Sequence, residues 1–172
     1  MKRRNLIIGG AGVAAAAAGV GGALWRSQHA ELQPDPAFWT LHFERPEGGE
    51  LAVAGLRGKP FLLNFWATWC APCVTEMPLL DKFHQAHLSR GWQVVGLAVD
   101  SPTPVRTFLA RRAMSFPIGL VGMDGVELAR GLGNGTGALP FSVLFDGAGE
   151  AITRKLGALH PEDLDAWAKR LA

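Results

Sequence analysis

The chain has 172 residues, a formal charge of +2, six Trp, nine Phe, no Tyr and two Cys. That length accommodates one well-cored domain and an appendage. A near-neutral charge without a basic, aromatic-interleaved stripe argues against a nucleic-acid binder, and two cysteines are too few for a disulfide scaffold or a four-ligand structural zinc site.

Residues 1–25 read as a signal or membrane-anchor segment. Lys2, Arg3 and Arg4 precede a run from Leu6 to Leu24 that carries no charge. At 1.5 Å per residue it reaches ~28 Å, about the thickness of a bilayer core. The run is rich in Ala and Gly, so its apolar drive is weak. The positive-inside rule keeps its N-terminus in the cytoplasm and exports the rest. Trp25 and Arg26 suit the interfacial anchors of an uncleaved span, whereas Gly21 and Ala23 suit a signal peptidase. Arg3-Arg4 also resembles the pair of a twin-arginine signal, without its usual flanking residues.

Residues 26–37, with Pro34 and Pro36, read as a linker, and residues 38–172 as the folded domain. Phe38 to Phe43 predicts a strand, turned at Pro46–Gly49 into a second around Leu51–Val53. The nearly continuous apolar run Phe61 to Trp66 predicts a central strand buried on both faces. Met77, Leu80, Phe83, His84, His87 and Leu88 then recur at helical spacing, predicting a helix from about Ala71 to Ser89. Trp92 to Val99 is a second buried strand, parallel to the first because a helix joins them. Thr103-Pro104 caps and opens a helix carrying Val105, Phe108 and Leu109. A short strand follows over Phe116–Val121, and a short helix over Asp124–Arg130. The glycine-rich stretch Gly131–Gly137 precedes a strand instead of opening a helix, which rules out a nucleotide loop and leaves a flexible approach to Leu139-Pro140. Phe141–Phe145 and Ile152–Leu156 form a hairpin about Asp146–Gly149, and Pro161 starts the last helix.

The chemistry concentrates at Trp69-Cys70-Ala71-Pro72-Cys73. Thiols three apart in a first helical turn have Cα atoms ~5 Å apart, inside the disulfide window. The partial positive charge and free N–H groups of a helix N-terminus stabilise a thiolate, so Cys70 is the expected nucleophile and the shielded Cys73 the resolving thiol. Pro72 fits the first turn, where its missing N–H costs nothing. A disulfide closing so short a loop removes little unfolded-state entropy, so a stapling role explains it poorly. His84 and His87 share a helical face but lie ~16–21 Å along the axis from Cys73, too far to join the thiols around a metal. Asp100 ends a strand on the same side and reads as a cap or turn residue.

The segment Asn64–Pro78 resembles the active site of the thioredoxin superfamily, and most closely the TlpA/ResA/DsbE-like thiol–disulfide oxidoreductases. The resemblance spans about Phe38 to Ala172 and implies an α/β thioredoxin fold: a central mixed sheet flanked by helices, with an N-terminal β hairpin and a central βα insertion. It matches Cys70 and Cys73 to the redox-active disulfide and Pro78 to a helix-kinking proline. It matches Glu76 to the glutamate that this subgroup carries three residues after its second cysteine, which would handle protons, since Asn64 stands where cytosolic thioredoxin has an aspartate. Pro140 matches the cis-proline beside the CxxC motif, with Leu139 presenting its backbone to substrate. Trp69 and Pro72 would flank the same groove, and Trp66 is expected in the core.

The implied function is an exported reductase of envelope protein disulfides, with a role in cytochrome c maturation among those of the relatives. It would need no cofactor and no metal, act as a monomer, and draw electrons from a membrane thiol reductant of the DsbD or CcdA kind. A copper-binding thiol carrier is the alternative, but it lacks a clear third ligand beyond Met77 and leaves Leu139-Pro140 without a task. A peroxiredoxin-like peroxidase fits less well, because Ala67 occupies the place of that family's threonine.

Overall fold

A computed structural model describes residues 33–171, so the expected N-terminal targeting segment and most of the expected linker lie outside the described residues. Among the described residues no helix is long and apolar enough to cross a membrane.

The apolar run Phe61–Trp66 forms a strand buried at every position, here β3. Four strands flank the crossovers that follow: β4 (Gln93–Ala98), β5 (Ile118–Leu120), β6 (Phe141–Phe145) and β7 (Ala151–Leu156). With β1 (His42–Glu44) and β2 (Glu50–Ala52) they make a seven-stranded sheet in the order β2-β1-β5-β4-β3-β6-β7. β4 runs parallel to β3, with Phe61 opposite Gln93 and Trp66 opposite Ala98. β6 runs antiparallel to β3, with Phe61 opposite Phe145 and Phe65 opposite Phe141. This is the mixed sheet of a thioredoxin fold, with the β hairpin added at one edge through the Glu44–Leu120 pair.

Burial on both faces explains why β3 shows no polar alternation: its residues alternate between two cores. Leu62 and Trp66 join Cys73, Met77, Leu80, Leu144, Leu164 and Trp167 on one side. Phe61, Leu63 and Phe65 join Phe38, Trp39, Val95, Leu97, Val143 and Phe145 on the other. The first side is covered by α1 (Ala71–His87) and α4 (Pro161–Arg170). α2 (Pro102–Arg111) and α3 (Gly125–Gly131) complete the helices.

Four local expectations are corrected. Phe38 to Phe43 is not one strand: Pro36–Thr40 is a 3₁₀ turn, and only His42–Glu44 is extended. Asp35 accepts a hydrogen bond from Ala37 N–H at 2.7 Å and Pro36 opens the turn, a capping arrangement that outweighs the β preference of the aromatics. Tertiary packing agrees, because the turn lays Phe38 on Phe145, ring centroids 5.6 Å apart, and Trp39 edge-on to Phe61 at 6.1 Å. Second, α1 ends at His87, and Leu88 enters a 3₁₀ turn where it is exposed instead of extending the apolar face. Third, α2 begins at Pro102 with Ser101 as its cap, two residues earlier than Thr103-Pro104 suggests, because Pro102 already suits the first turn. Fourth, the glycine-rich stretch is organised around buried Asn134, whose amide donates to Ala138 O at 2.8 Å while its Oδ1 accepts from Gly137 N at 3.0 Å.

Gly96 on β4 is required by close approach. A Cβ there would stand 2.6 Å from Ile118 Cδ1 and 3.1 Å from Trp66 Nε1. Gly96→Ala is therefore expected to destabilise the domain by about 1–3 kcal/mol through overpacking, measured as a lower urea midpoint at unchanged m-value.

Candidate active site

β3 delivers the chain to the carboxyl edge of the sheet, where the loop Ala67–Trp69 leads into α1. The loop is pinned by Asp100 at the end of β4. Asp100 Oδ2 accepts from Thr68 N–H at 3.0 Å and from the Thr68 hydroxyl at 2.5 Å, while its Oδ1 accepts from Ser101 N–H at 2.7 Å. Asp100 is thus a clamp between two strand ends, more than the simple turn residue its position suggests. With Thr68 held, Trp69 is 64 % exposed beside the first cysteine.

Cys70 is the N-cap of α1, and its Sγ accepts from Cys73 N–H at 3.3 Å, so the sulfur takes up one of the helix's free donors. Cys70 and Cys73 are joined in a disulfide with Cα atoms 5.3 Å apart. Both are buried, Cys73 completely. Pro72 sits in the exposed first turn. The Phe65–Phe141 pairing places Pro140 beside Trp66, at the same end of the sheet. The Leu139-Pro140 bond is cis, Leu139 half-buried and Pro140 buried. The structure therefore brings Trp69, Cys70, Pro72, Cys73, Leu139 and Pro140 to one edge, and it leaves Trp66 in the core, packed on Phe108 with ring centroids 5.3 Å apart.

Glu76 is buried one turn beyond Cys73, at 4 % exposure. Its Oε1 accepts from Asn64 Nδ2 at 2.9 Å and its Oε2 from Leu159 N–H at 2.6 Å. The second amide hydrogen of Asn64 goes to Ser142 Oγ at 3.0 Å, so the amide joins β3, β6 and α1. Burial pushes the Glu76 carboxyl above its ordinary value, against the opposing pull of the Leu159 N–H, the Asn64 amide, Lys155 and His160. A cleft of about 460 Å³ opens beside it, lined by Pro72, Thr75, Glu76, Leu79 and the Ala158–Pro161 stretch.

The two histidines stay apart from this chemistry. His84 is buried and accepts from Val94 N–H at 3.4 Å through Nδ1, and burial lowers its pKa against the pull of Asp81. The His87 ring stacks on Phe83 with centroids 4.3 Å apart. Among the described residues no three His, Cys, Asp or Glu side chains gather as a metal site. Ser142, Leu159 and the Asp100–Thr68 clamp are the parts that sequence reasoning missed. A lone serine inside Phe141–Phe145, like a lone asparagine inside Phe61–Trp66, was the available signal: a buried polar side chain needs a partner.

A redoxin family model matches residues 36–171. The chain belongs to the redoxin family. Within it, the thiol–disulfide oxidoreductase ResA of Bacillus thuringiensis (strain Al Hakam) is 30% identical over 126 residues, which cover 73% of this chain and 70% of that one. ResA of Geobacillus thermodenitrificans (strain NG80-2) is 34% identical over 119 residues, covering 69% and 66%. A thiol:disulfide interchange protein of the thioredoxin family from Chlorobium tepidum TLS superposes with a TM-score of 0.70 at 26% identity, covering 81% of this chain and 95% of that one. This redoxin is a thiol–disulfide oxidoreductase with a thioredoxin-like fold.

The raised pKa of Glu76 has a consequence for stability. A carboxyl that holds its proton more tightly when folded stabilises the fold fully below its unfolded pKa, taken as 4.5, and that contribution is lost as pH rises through the higher folded value. Glu76→Gln is expected to flatten the fall in melting temperature of the oxidised protein above pH 4.5, followed by calorimetry across pH.

Proposed function

We propose that this redoxin is an exported reductase of envelope protein disulfides in which Cys70 attacks, Cys73 resolves and Glu76 accepts the resolving thiol's proton. The observation that carries the reading is the buried Glu76 carboxyl, oriented by Asn64 and Leu159 N–H one turn behind the fully buried Cys73 sulfur. A carboxyl whose proton affinity is raised by burial is better matched to a thiol than an ordinary surface carboxylate.

The cycle starts from the dithiol. The Cys70 thiolate, favoured by the α1 N-terminus, attacks one sulfur of a substrate disulfide and forms a mixed disulfide, releasing a substrate thiolate that takes a proton from solvent. Glu76 accepts the Cys73 proton, and the Cys73 thiolate attacks Cys70 Sγ. That step closes the intramolecular disulfide and expels the second substrate thiolate, which is protonated in turn. Two electrons have passed to the substrate, and a thiol reductant must return them. A membrane reductant of the DsbD or CcdA kind is the donor implied by the resemblance of Asn64–Pro78 to the TlpA/ResA/DsbE-like group. The same resemblance supports cytochrome c maturation as the setting.

Substrate would dock against Trp69, Pro72 and the backbone of Leu139, with Pro140 holding the groove wall. Exposed Trp69 offers a large apolar surface next to the attacking sulfur, the kind of anchor that dominates protein recognition. The basic N-terminus and the uncharged run after it support export, with the domain on the periplasmic side.

Two measurements test this. In the reduced protein Cys70 is expected to alkylate at least about tenfold faster than Cys73 at pH 7, and Glu76→Gln to lower the apparent thiol pKa while slowing reduction of a protein disulfide. Equal alkylation rates, or an unchanged pH–rate profile in the variant, would remove the assigned roles. For location, alkaline phosphatase fused after Ala172 is expected to be active; activity only of a cytoplasmic reporter at that junction would reject export.

A further inference from the structure

Asn64 lies opposite Ser142 across β3 and β6, and Ser142 lies opposite Lys155 across β6 and β7. Directly opposed residues put their side chains on one face of a sheet, about 5 Å apart. Three polar side chains therefore cross three strands in a single row beneath α1 and α4. The first two meet through the Asn64 amide, which also donates to Glu76. Lys155 reaches up to α4, where its ammonium pairs with Asp163 Oδ2. That same oxygen accepts from His160 N–H at 2.7 Å, and His160 follows Leu159, whose N–H donates to Glu76. The polar row and the approach to α4 thus close around Glu76 from two sides.

We propose that Lys155, held by Asp163, is a positioning residue for Glu76: it supplies the cation that sets where the buried carboxyl exchanges its proton, and Asp163 moderates that cation. This rests on the reading of Glu76 as the proton acceptor. Asn64 from β3 and Leu159 N–H bond Glu76 directly, and the charges of Lys155 from β7 and His160 before α4 act on it; Ser142 from β6 reaches it only through Asn64, Asp163 from α4 only through Lys155 and the His160 N–H, and the cysteine pair lies on its own helix. Burial is the largest influence on Glu76 and favours its neutral form, and the Lys155 charge is among the influences that oppose it. Burial also pushes Asp163 up, but its bonds to Lys155 and His160 N–H outweigh that, so it stays ionised below the ordinary carboxylate value. The pair is neither free in solvent nor sealed: side-chain exposures are 28% for Lys155 and 26% for Asp163, so screening weakens its field without abolishing it.

The sign of each change distinguishes this from a strut that merely ties β7 to α4. Lys155→Met removes the cation and leaves the Asp163 anion, so Glu76 should protonate at higher pH. Asp163→Asn keeps a capping side chain but frees the Lys155 charge, so Glu76 should protonate at lower pH. Lys155→Arg should leave the midpoint in place. The midpoint is read from the Glu76 carboxyl ¹³C resonance of the oxidised protein, where the thiols do not titrate. It therefore tests Lys155 whatever Glu76→Gln does to turnover. Reduction of a protein disulfide at pH 7 should slow by about threefold to tenfold in Lys155→Met and recover in Lys155→Arg. An upward shift in the Met variant together with a downward one in the Asn variant supports the inference, and the reversed pair overturns it. Midpoints coincident with the parent's, or two shifts in the same direction, overturn it. If Lys155→Met fails to fold, the Asp163→Asn shift decides alone, downward in support and absent or upward against.

Discussion

Placing a carboxylate beneath a redox helix costs several kcal/mol in lost hydration, and the Glu76 site is arranged around limiting that cost. Two hydrogen bonds to one carboxyl, from the Asn64 amide and Leu159 N–H, come from elements far apart in the chain. To supply them, β3 must carry an amide in the middle of an apolar run, β6 must offer a serine to hold that amide, and the chain before α4 must cross behind α1. Each requirement weakens the apolar core locally. Asn64 Oδ1 has no hydrogen-bond partner among the described residues, a further cost of using the amide as a double donor. An arrangement with costs at three places is hard to explain as packing. It fits the proposal that Glu76 exchanges a proton during the cycle.

The second constraint is the short loop between β3 and α1. A thiol at a helix N-terminus gains from the helix only if the turn before it is fixed, because the helix field fades within about one turn. Asp100 fixes it by accepting two hydrogen bonds from Thr68 across the β3–β4 pair, and the Val99 N–H to Trp66 O bond at 2.8 Å continues the ladder up to the loop. Cys70 can then act as the cap itself, with Sγ facing Cys73 N–H. Trp69, between the clamp and the cap, is turned outward by both. The cysteine pair and the exposed Trp69 thus come from the same short segment.

Much of this was legible in the sequence, for reasons that differ by element. β3 and α1 declared themselves because burial on both faces leaves an unbroken apolar run, and a helix over one core leaves a spacing of three and four. The thiol pair could be read because its chemistry depends on local spacing. Phe38 to Phe43 misled because aromatic β preference is a weak prior, while the Asp35-Pro36 cap that governs the segment was there to be read. The partners of Glu76 were less accessible. Asn64 and Ser142 stand out as polar residues in apolar strands, but that they face each other depends on the β3–β6 register, which no local pattern carries. Leu159 contributes a backbone N–H, and any residue but proline could have done so; nothing in its side chain marks it.

The two faces of the sheet divide the work. On the face away from α1, Phe38, Phe145 and Phe61 stack in sequence with centroids 5.6 and 4.5 Å apart, and Trp39 closes the stack edge-on to Phe61 and Phe145. Arg57 lies over the Trp39 ring at 4.3 Å, and Gly149 at φ +89° leaves room for it, since a Cβ there would meet Trp39 Cζ2 at 2.7 Å. This face is apolar wherever the sheet residues are buried, whereas the other carries Asn64 and Ser142. Reducing the Cys70–Cys73 bond adds two electrons and two protons on the polar side alone. The side chains nearest that change belong to α1, the approach to α4 and the cleft between them. Those are the elements that hold Glu76. The thiol pair and the carboxyl thus share one face of the sheet, and the aromatic stack fills the face away from both.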